Sequence, residues 1–204
     1  MNNNICILDY GSGNVRSVYN MVSLLFPQVT ISNEPAAIQA ATHLILPGVG
    51  AFKASMEKIN KKIPVKVLEN EVFKIKKPFL GICVGMQVLA DTGHEFEDYP
   101  GLGWIKGDVR KIDTGNLPLP HVGWNNTTIV RENRLVNNVT NNFDFYFVHS
   151  YAFFPRDPKT IIATTKYGQE FCTIVSKDNI FGVQFHPEKS QQAGKVVLEN
   201  FLSI

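Results

Sequence analysis

Cys83, His186 and Glu188 are the residues whose types and spacing could do covalent chemistry: a thiol, an imidazole, and a carboxylate two positions beyond it. Cys83 lies within Pro78–Gln87. There a short apolar run to Ile82 reads as a buried strand, and Val84–Asp91 reads as a helix. A nucleophile at the bend between the two is the cysteine version of a nucleophile elbow. Gly81 and Gly85 flank it two positions away on either side, where larger side chains would collide with the neighbouring strand and helix. The free N–H groups at the helix start would favour the thiolate. The elbow alone leaves two readings open, because most strand cysteines are inert small hydrophobes.

Phe181–Glu188 supplies a base. A strand runs into His186, and Pro187 restricts the residue before it to extended geometry. In an extended segment residues i and i+2 point to the same side. Glu188 could then hold one ring nitrogen while the other takes the thiol proton. A single histidine at a strand end is more often just hydrogen-bonded there. The strand end, the proline and the carboxylate together favour a base.

The elements that must position these groups follow from periodicity. Asn4–Tyr10, Gln28–Ser32, His43–Leu46 and Pro78–Ile82 read as strands. Val15–Phe26, Pro35–Ala40, Ala51–Asn60 and Pro64–Phe73 read as helices. This alternation predicts an α/β fold with a mostly parallel central sheet flanked by helices, whose ligands sit at the carboxyl ends of the strands. Pro47–Gly50 and Cys83 both fall at such ends. Beyond Pro100 helical patterns disappear until a closing helix, Gln191–Leu202. Between them Ile105–Ile112, Phe143–Val148, Ile161–Thr165, Phe171–Val175 and Ile180–Gln184 read as antiparallel β additions. Gly11 and Gly13 suggest a dinucleotide turn, but Arg16 stands where a third glycine belongs, so a tight loop is the better reading.

At 204 residues the chain is most simply one domain, residues 1–204. Hydrophobic content of 44% and charged content of 19% are those of a soluble globular protein. A net charge of +2 without a lysine–arginine cluster points away from nucleic acid. No apolar run is long enough for a bilayer, and the first residues lack the pattern of a signal peptide. Cys6, Cys83 and Cys172 are too far apart for a zinc site or disulfide framework. That favours a cytoplasmic protein with no metal.

The cysteine stretch Gly81–Gln87, followed about a hundred residues later by His186-Pro187-Glu188, resembles the class I (triad) glutamine amidotransferases. Asp9–Asn14, Pro47–Phe52, Pro120–Asn125, Phe145–Tyr151 and Phe185–Ser190 look like the glutaminase subunits of imidazole glycerol phosphate synthases within that family. Val84, Ala90–Glu95 and His121-Val122 depart from the commonest pattern and are similar to a sister branch associated with surface-polysaccharide synthesis.

The resemblance implies a flavodoxin-like fold and hydrolysis of glutamine to glutamate and ammonia, with no cofactor. It implies a heterodimer with a (β/α)8-barrel cyclase making imidazole glycerol phosphate and AICAR in histidine biosynthesis. The sister branch implies a sugar acceptor instead. The residues alone would also suit a stand-alone cysteine peptidase or esterase, or an inert scaffold.

The expected oxyanion donors are Val84 at the helix start and Val49 and Gly50 in the glycine-rich turn. Gln87 and Glu95 are expected to contact glutamine, against readings as a capping residue and a surface carboxylate. His149, Ser150 and Tyr151 are expected to grip its α-substituents through backbone atoms, against an ordinary strand. Asn14, Arg16, Trp124, Tyr146 and Lys189 are the expected partner interface, with half-buried core as the alternative for Trp124.

Overall fold

The computed structural model describes residues 4–11, 13–140 and 143–204; Ser12 of the first turn lies outside them. The first half alternates as its periodicity predicts. β1 (Ile5–Ile7), α1 (Val15–Leu25), β2 (Val29–Ile31), α2 (Pro35–Ala40), β3 (His43–Gly48) and α3 (Phe52–Lys62) follow in order. α4 (Val65–Glu69) runs into a π-helical turn, Asn70–Lys74, before β4 (Phe79–Cys83) and α5 (Val84–Gln87). α1 turns Val15, Val18 and Val22 inward at helical spacing. Every residue of β3 and β4 is buried, as expected of central strands covered on both faces.

The second half holds β5 (Thr92–Glu95), β6 (Glu97–Pro100), β7 (Gly107–Lys111), β8 (His121–Asn126), β9 (Thr128–Ile129), β10 (Asp144–His149) and β11 (Tyr151–Pro155). β12 (Ile161–Tyr167), β13 (Gln169–Lys177), β14 (Ile180–Val183) and α6 (Gln191–Leu202) complete it. The main sheet has the order β2-β1-β3-β4-β14-β13-β12-β9. It is parallel from β2 to β14 and antiparallel from there on.

Two expectations change. β14 is not an antiparallel addition but the parallel neighbour of β4, with Val183 opposite Ile82. Several of the added strands leave the main sheet altogether. They form a β10–β8 pair and a β11-β7-β5-β6 sheet. β5 and β6 escape sequence reading because they are short and largely polar, so neither face carries an apolar stripe, and β8 because its only apolar pair, Val122 and Trp124, faces out.

The helix after Cys83 is also shorter than its pattern. α5 stops at Gln87 rather than Asp91. The Leu89 and Ala90 N–H groups donate only three residues back, to the Met86 and Gln87 carbonyls, and the Asp91 N–H leaves the helix for the Gly107 carbonyl. The carbonyls of Val88, Leu89, Ala90 and Asp91 accept from Leu102, Ile105, Gly103 and Gly101, on the segment that crosses them. Val88, Leu89 and Ala90 are fully buried, so the apolar run reflects a core crossing rather than a helix.

Backbone contact sets the packing around the elbow. A Cβ on Gly81 would overlap the Gly85 carbonyl, and one on Gly85 would overlap the Leu46 carbonyl in β3. Neither obstacle is a flexible side chain that could swing away. Gly85→Ala is therefore expected to cost about 3 kcal/mol or more of stability. Urea unfolding checks this; a loss below about 1 kcal/mol would refute the close contact.

Candidate active site

β3 and β4 end together, with Gly48 opposite Cys83. The chain leaving β3 therefore passes directly beside the thiol. Cys83 has φ +55 and ψ −112, a conformation that costs a non-glycine residue roughly 1–3 kcal/mol and marks functional turns. It is 3% exposed. The other cysteines do not compete as nucleophiles. Burial outweighs a Ser32 carbonyl bond and pushes Cys6 up to about 11. Burial also pushes the Cys172 thiol far up.

His186 leaves β14 under several constraints. Its N–H donates to the Tyr146 carbonyl at 2.9 Å, and its carbonyl accepts from Ser190 Oγ at 2.7 Å. Ser190 Oγ in turn accepts from the Tyr146 N–H at 3.0 Å. Glu188 Oε1 lies 2.8 Å from His186 Nδ1. The expected pairing forms, but not through an extended segment. Pro187–Lys189 is a 3-10 turn with His186 as its N-cap, and that turn brings the carboxylate back to the ring. Asn14 Nδ2 donates to the same Oε1 at 3.2 Å. Both side chains of the pair are buried, His186 at 1% and Glu188 at 0% exposure.

Nδ1 is thereby committed. Nε2 is buried and completes no hydrogen bond among the described residues. Burial alone would lower the imidazole's pKa. Cys83 beside the ring and the hydrogen-bonded Glu188 outweigh it and raise His186 to about 10. The ring is thus an imidazolium at neutral pH, between a sulfur and a carboxylate.

A cavity of about 280 Å³ opens over the thiol. Cys83 and His186 line it together with the expected oxyanion residues Val49, Gly50 and Val84. The expected glutamine contacts Gln87, Glu95, His149, Ser150 and Tyr151 line it too. Glu188 does not; it lies behind His186. Gly50 has φ +102, and a Cβ there would meet nothing within 4 Å. Glycine is needed at that position for conformation rather than for space.

Several of these groups are already engaged. Glu95 Oε2 accepts from the Phe52 N–H at 2.8 Å, at the start of α3. Gln87 is no solvated cap: it is 3% exposed and its Nε2 donates to the Tyr151 carbonyl at 2.8 Å and to Gln184 Oε1 at 3.0 Å. His149 Nδ1 donates to the same Tyr151 carbonyl at 2.9 Å. With two donors that carbonyl is saturated, so it is not available to a ligand as the backbone-grip expectation supposed. Burial, opposed by the Tyr151 bond, pushes His149 down to about 3, and burial pushes His121 down to about 4.

Two members of the site escaped sequence reading. Gln184 and His121 belong to its hydrogen-bond network, described below. A glutamine inside the otherwise apolar run Phe181–Phe185 is the signal that could have found Gln184, since a buried amide needs partners.

The expected interface residues lie apart from the cavity. Asn14 is 8% exposed and serves Glu188. Arg16 stands over the Tyr19 ring at 5.4 Å. Trp124, 47% exposed, meets Tyr146 edge-on at 5.9 Å, and Lys189 Nζ stands 5.4 Å above the Tyr146 ring. Among the described residues no group of His, Cys, Asp and Glu could hold a metal ion.

A thiol on a strained elbow of a doubly wound sheet, with an imidazolium beside it and a carboxylate behind, is the constellation of a triad cysteine hydrolase. The chain belongs to the class-I glutamine amidotransferase family, whose model matches residues 6–204. Among its relatives is imidazole glycerol phosphate synthase subunit HisH of Pelagibacter ubique, 42% identical across 98% of this chain and all of the relative. Subunit HisH 2 of Methanococcus maripaludis is 44% identical across 97% of this chain and 98% of its own. In fold the chain is similar to PurLQS from Thermotoga maritima, with a TM-score of 0.75 at 18% identity over 100% of this chain and 99% of that one. A crystal structure of a glutamine amidotransferase matches with a TM-score of 0.75 at 14% identity, covering 98% of this chain and 99% of that one.

Proposed function

We propose that the chain is the glutaminase subunit of an imidazole glycerol phosphate synthase. The observation that carries the chemistry is His186, clamped between Cys83 and Glu188 at the wall of one cavity. Relatives matched over 98–100% of their length bear the subunit's name.

Cys83 Sγ attacks the side-chain carbonyl of glutamine. The C–N bond breaks as His186 gives its proton to the leaving nitrogen, and ammonia departs. His186, now neutral, takes a proton from water. The resulting hydroxide attacks the thioester, the C–S bond breaks, and glutamate leaves with the thiolate restored. Glu188 holds the imidazole throughout and stabilises its charged form. The oxyanion is stabilised by N–H donors drawn from Val49, Gly50 and Val84, each worth about 10²–10³ in rate in a comparable hydrolase.

Ammonia released into bulk water is protonated and stops being a nucleophile. A glutaminase of this kind therefore works in a heterodimer with a (β/α)8-barrel cyclase that receives it directly, in the cytoplasm. Exposed Trp124 on β8, half-buried Tyr146 on β10 and exposed Lys189 over the Tyr146 ring form an aromatic and cationic surface suited to anchoring a partner. Among the described residues no helix is long and apolar enough to cross a membrane.

The test is to co-purify the chain with its partner and add the imidazole-precursor nucleotide. Glutaminase activity is expected to rise several-fold or more. Subunits HisH 2 and HisH 1 of Methanococcus maripaludis match at 44% and 42%, and both bear the imidazole glycerol phosphate synthase name. Stimulation by a nucleotide-sugar acceptor alone would move the chain to the sister branch. Preference for peptide or ester substrates over glutamine would make it a stand-alone hydrolase.

A further inference from the structure

Behind the cavity a single file of hydrogen bonds runs from β8 to the thiol. The Tyr151 carbonyl, as a pure acceptor, fixes its direction. His149 Nδ1 must donate to it, so the neutral ring presents Nε2 as an acceptor. His121 Nδ1 lies 3.1 Å from that Nε2 and therefore donates. His121 Nε2, in turn an acceptor, receives Asn125 Nδ2 at 3.3 Å. Burial holds both rings neutral at ordinary pH, and His121 is stacked on Tyr167 at 4.0 Å.

On its other side the same carbonyl sets the amides. Gln87 has to turn its nitrogen toward Tyr151 O, and that nitrogen also donates to Gln184 Oε1 at 3.0 Å. With its oxygen so engaged, Gln184 turns its own nitrogen to Cys83 Sγ at 3.7 Å. Gln184 is fully buried. A rigid amide donor aimed at sulfur can hold the thiol in one direction and stabilise its negative charge. Such a bond is worth more to an ion than to a neutral group.

We propose that Gln184 is a positioning residue for the glutaminase reaction, orienting and stabilising Cys83 Sγ through an amide donor whose direction is set by Gln87 and the Tyr151 carbonyl. This rests on Cys83 being the nucleophile. The role is separate from that of His186: the imidazolium supplies the proton for the leaving nitrogen, while Gln184 exchanges none.

The test follows iodoacetamide alkylation of the full chain at pH 7.5, with each cysteine assigned by mass spectrometry. Gln184→Met keeps the length but removes the donor. Cys83 alkylation is expected to slow about tenfold or more. In the complex with the synthase partner, kcat for glutamine should fall by a similar factor with KM within about twofold. Thermal melting checks that the variant is folded. If it is not, Gln184→Glu keeps the length and the acceptor for Gln87, and should slow alkylation at least as much. Alkylation and kcat within twofold of the parent in a folded variant would overturn the proposal. If Cys83 in the parent chain reacts no faster than buried Cys6 and Cys172, the reading of Cys83 as nucleophile falls instead.

Discussion

Cys83→Ala is expected to abolish glutamine-dependent turnover, by about 10⁴–10⁶-fold, the scale on which removing a triad nucleophile acts. Cys83 is the one cysteine that lines the cavity. Burial raises the pKa values of Cys6 and Cys172, and neither lines the site. The fold should survive. Alanine inherits the same φ of +55 and removes only one sulfur, so stability should change little. The decisive measurement is made on the complex supplied with ammonium salts in place of glutamine. Ammonia-dependent synthesis should persist in the variant, because only the ammonia source has been lost. Glutamine-dependent turnover that survives in a folded variant would remove the covalent mechanism.

The second large effect is expected from Glu188→Gln, a loss of about 10³–10⁴-fold in kcat, as when the orienting carboxylate of a triad is neutralised. The pH profile makes this more than a positional claim. Burial lowers the His186 pKa, but Cys83 and Glu188 raise it more, to about 10 against an ordinary value of 6.5. A raised pKa means that the native state binds the proton more tightly than the unfolded chain. The stability this contributes is complete below about 6.5 and is lost as pH rises through about 10. Activity should follow the same proton. Its alkaline limb is expected near pH 10, where the imidazolium that protonates the leaving nitrogen is lost. Without the Glu188 charge that limb moves to lower pH. A pH–rate profile of residual activity checks the shift; an unmoved limb would mean that Glu188 does not act on His186.

The elements that carry the reactive groups were legible because they obey local rules. α2 and α6 match their sequence boundaries, Pro35–Ala40 and Gln191–Leu202. The glycines around Cys83 announced a close turn that the Gly85–Leu46 contact bears out. What failed was non-local. α5 ends at Gln87 because the Asp91 N–H that would continue it donates instead to the Gly107 carbonyl, more than ten residues later. β14 resembles any short apolar strand, and only its pairing with β4 makes it the neighbour of the nucleophile.

The sequence by itself determined the reagents: a thiol at a glycine-flanked bend and a histidine and glutamate joined by one proline. Local chain geometry and side-chain chemistry are enough for that. Only the tertiary structure decided their states and neighbours. It folds Pro187–Lys189 into the 3-10 turn that returns Glu188 to the ring. It also raises His186 while holding His121 and His149 neutral. And it sets Gln184 against the sulfur. Burial and long-range hydrogen bonds control these properties, and both depend on residues brought together from distant parts of the chain.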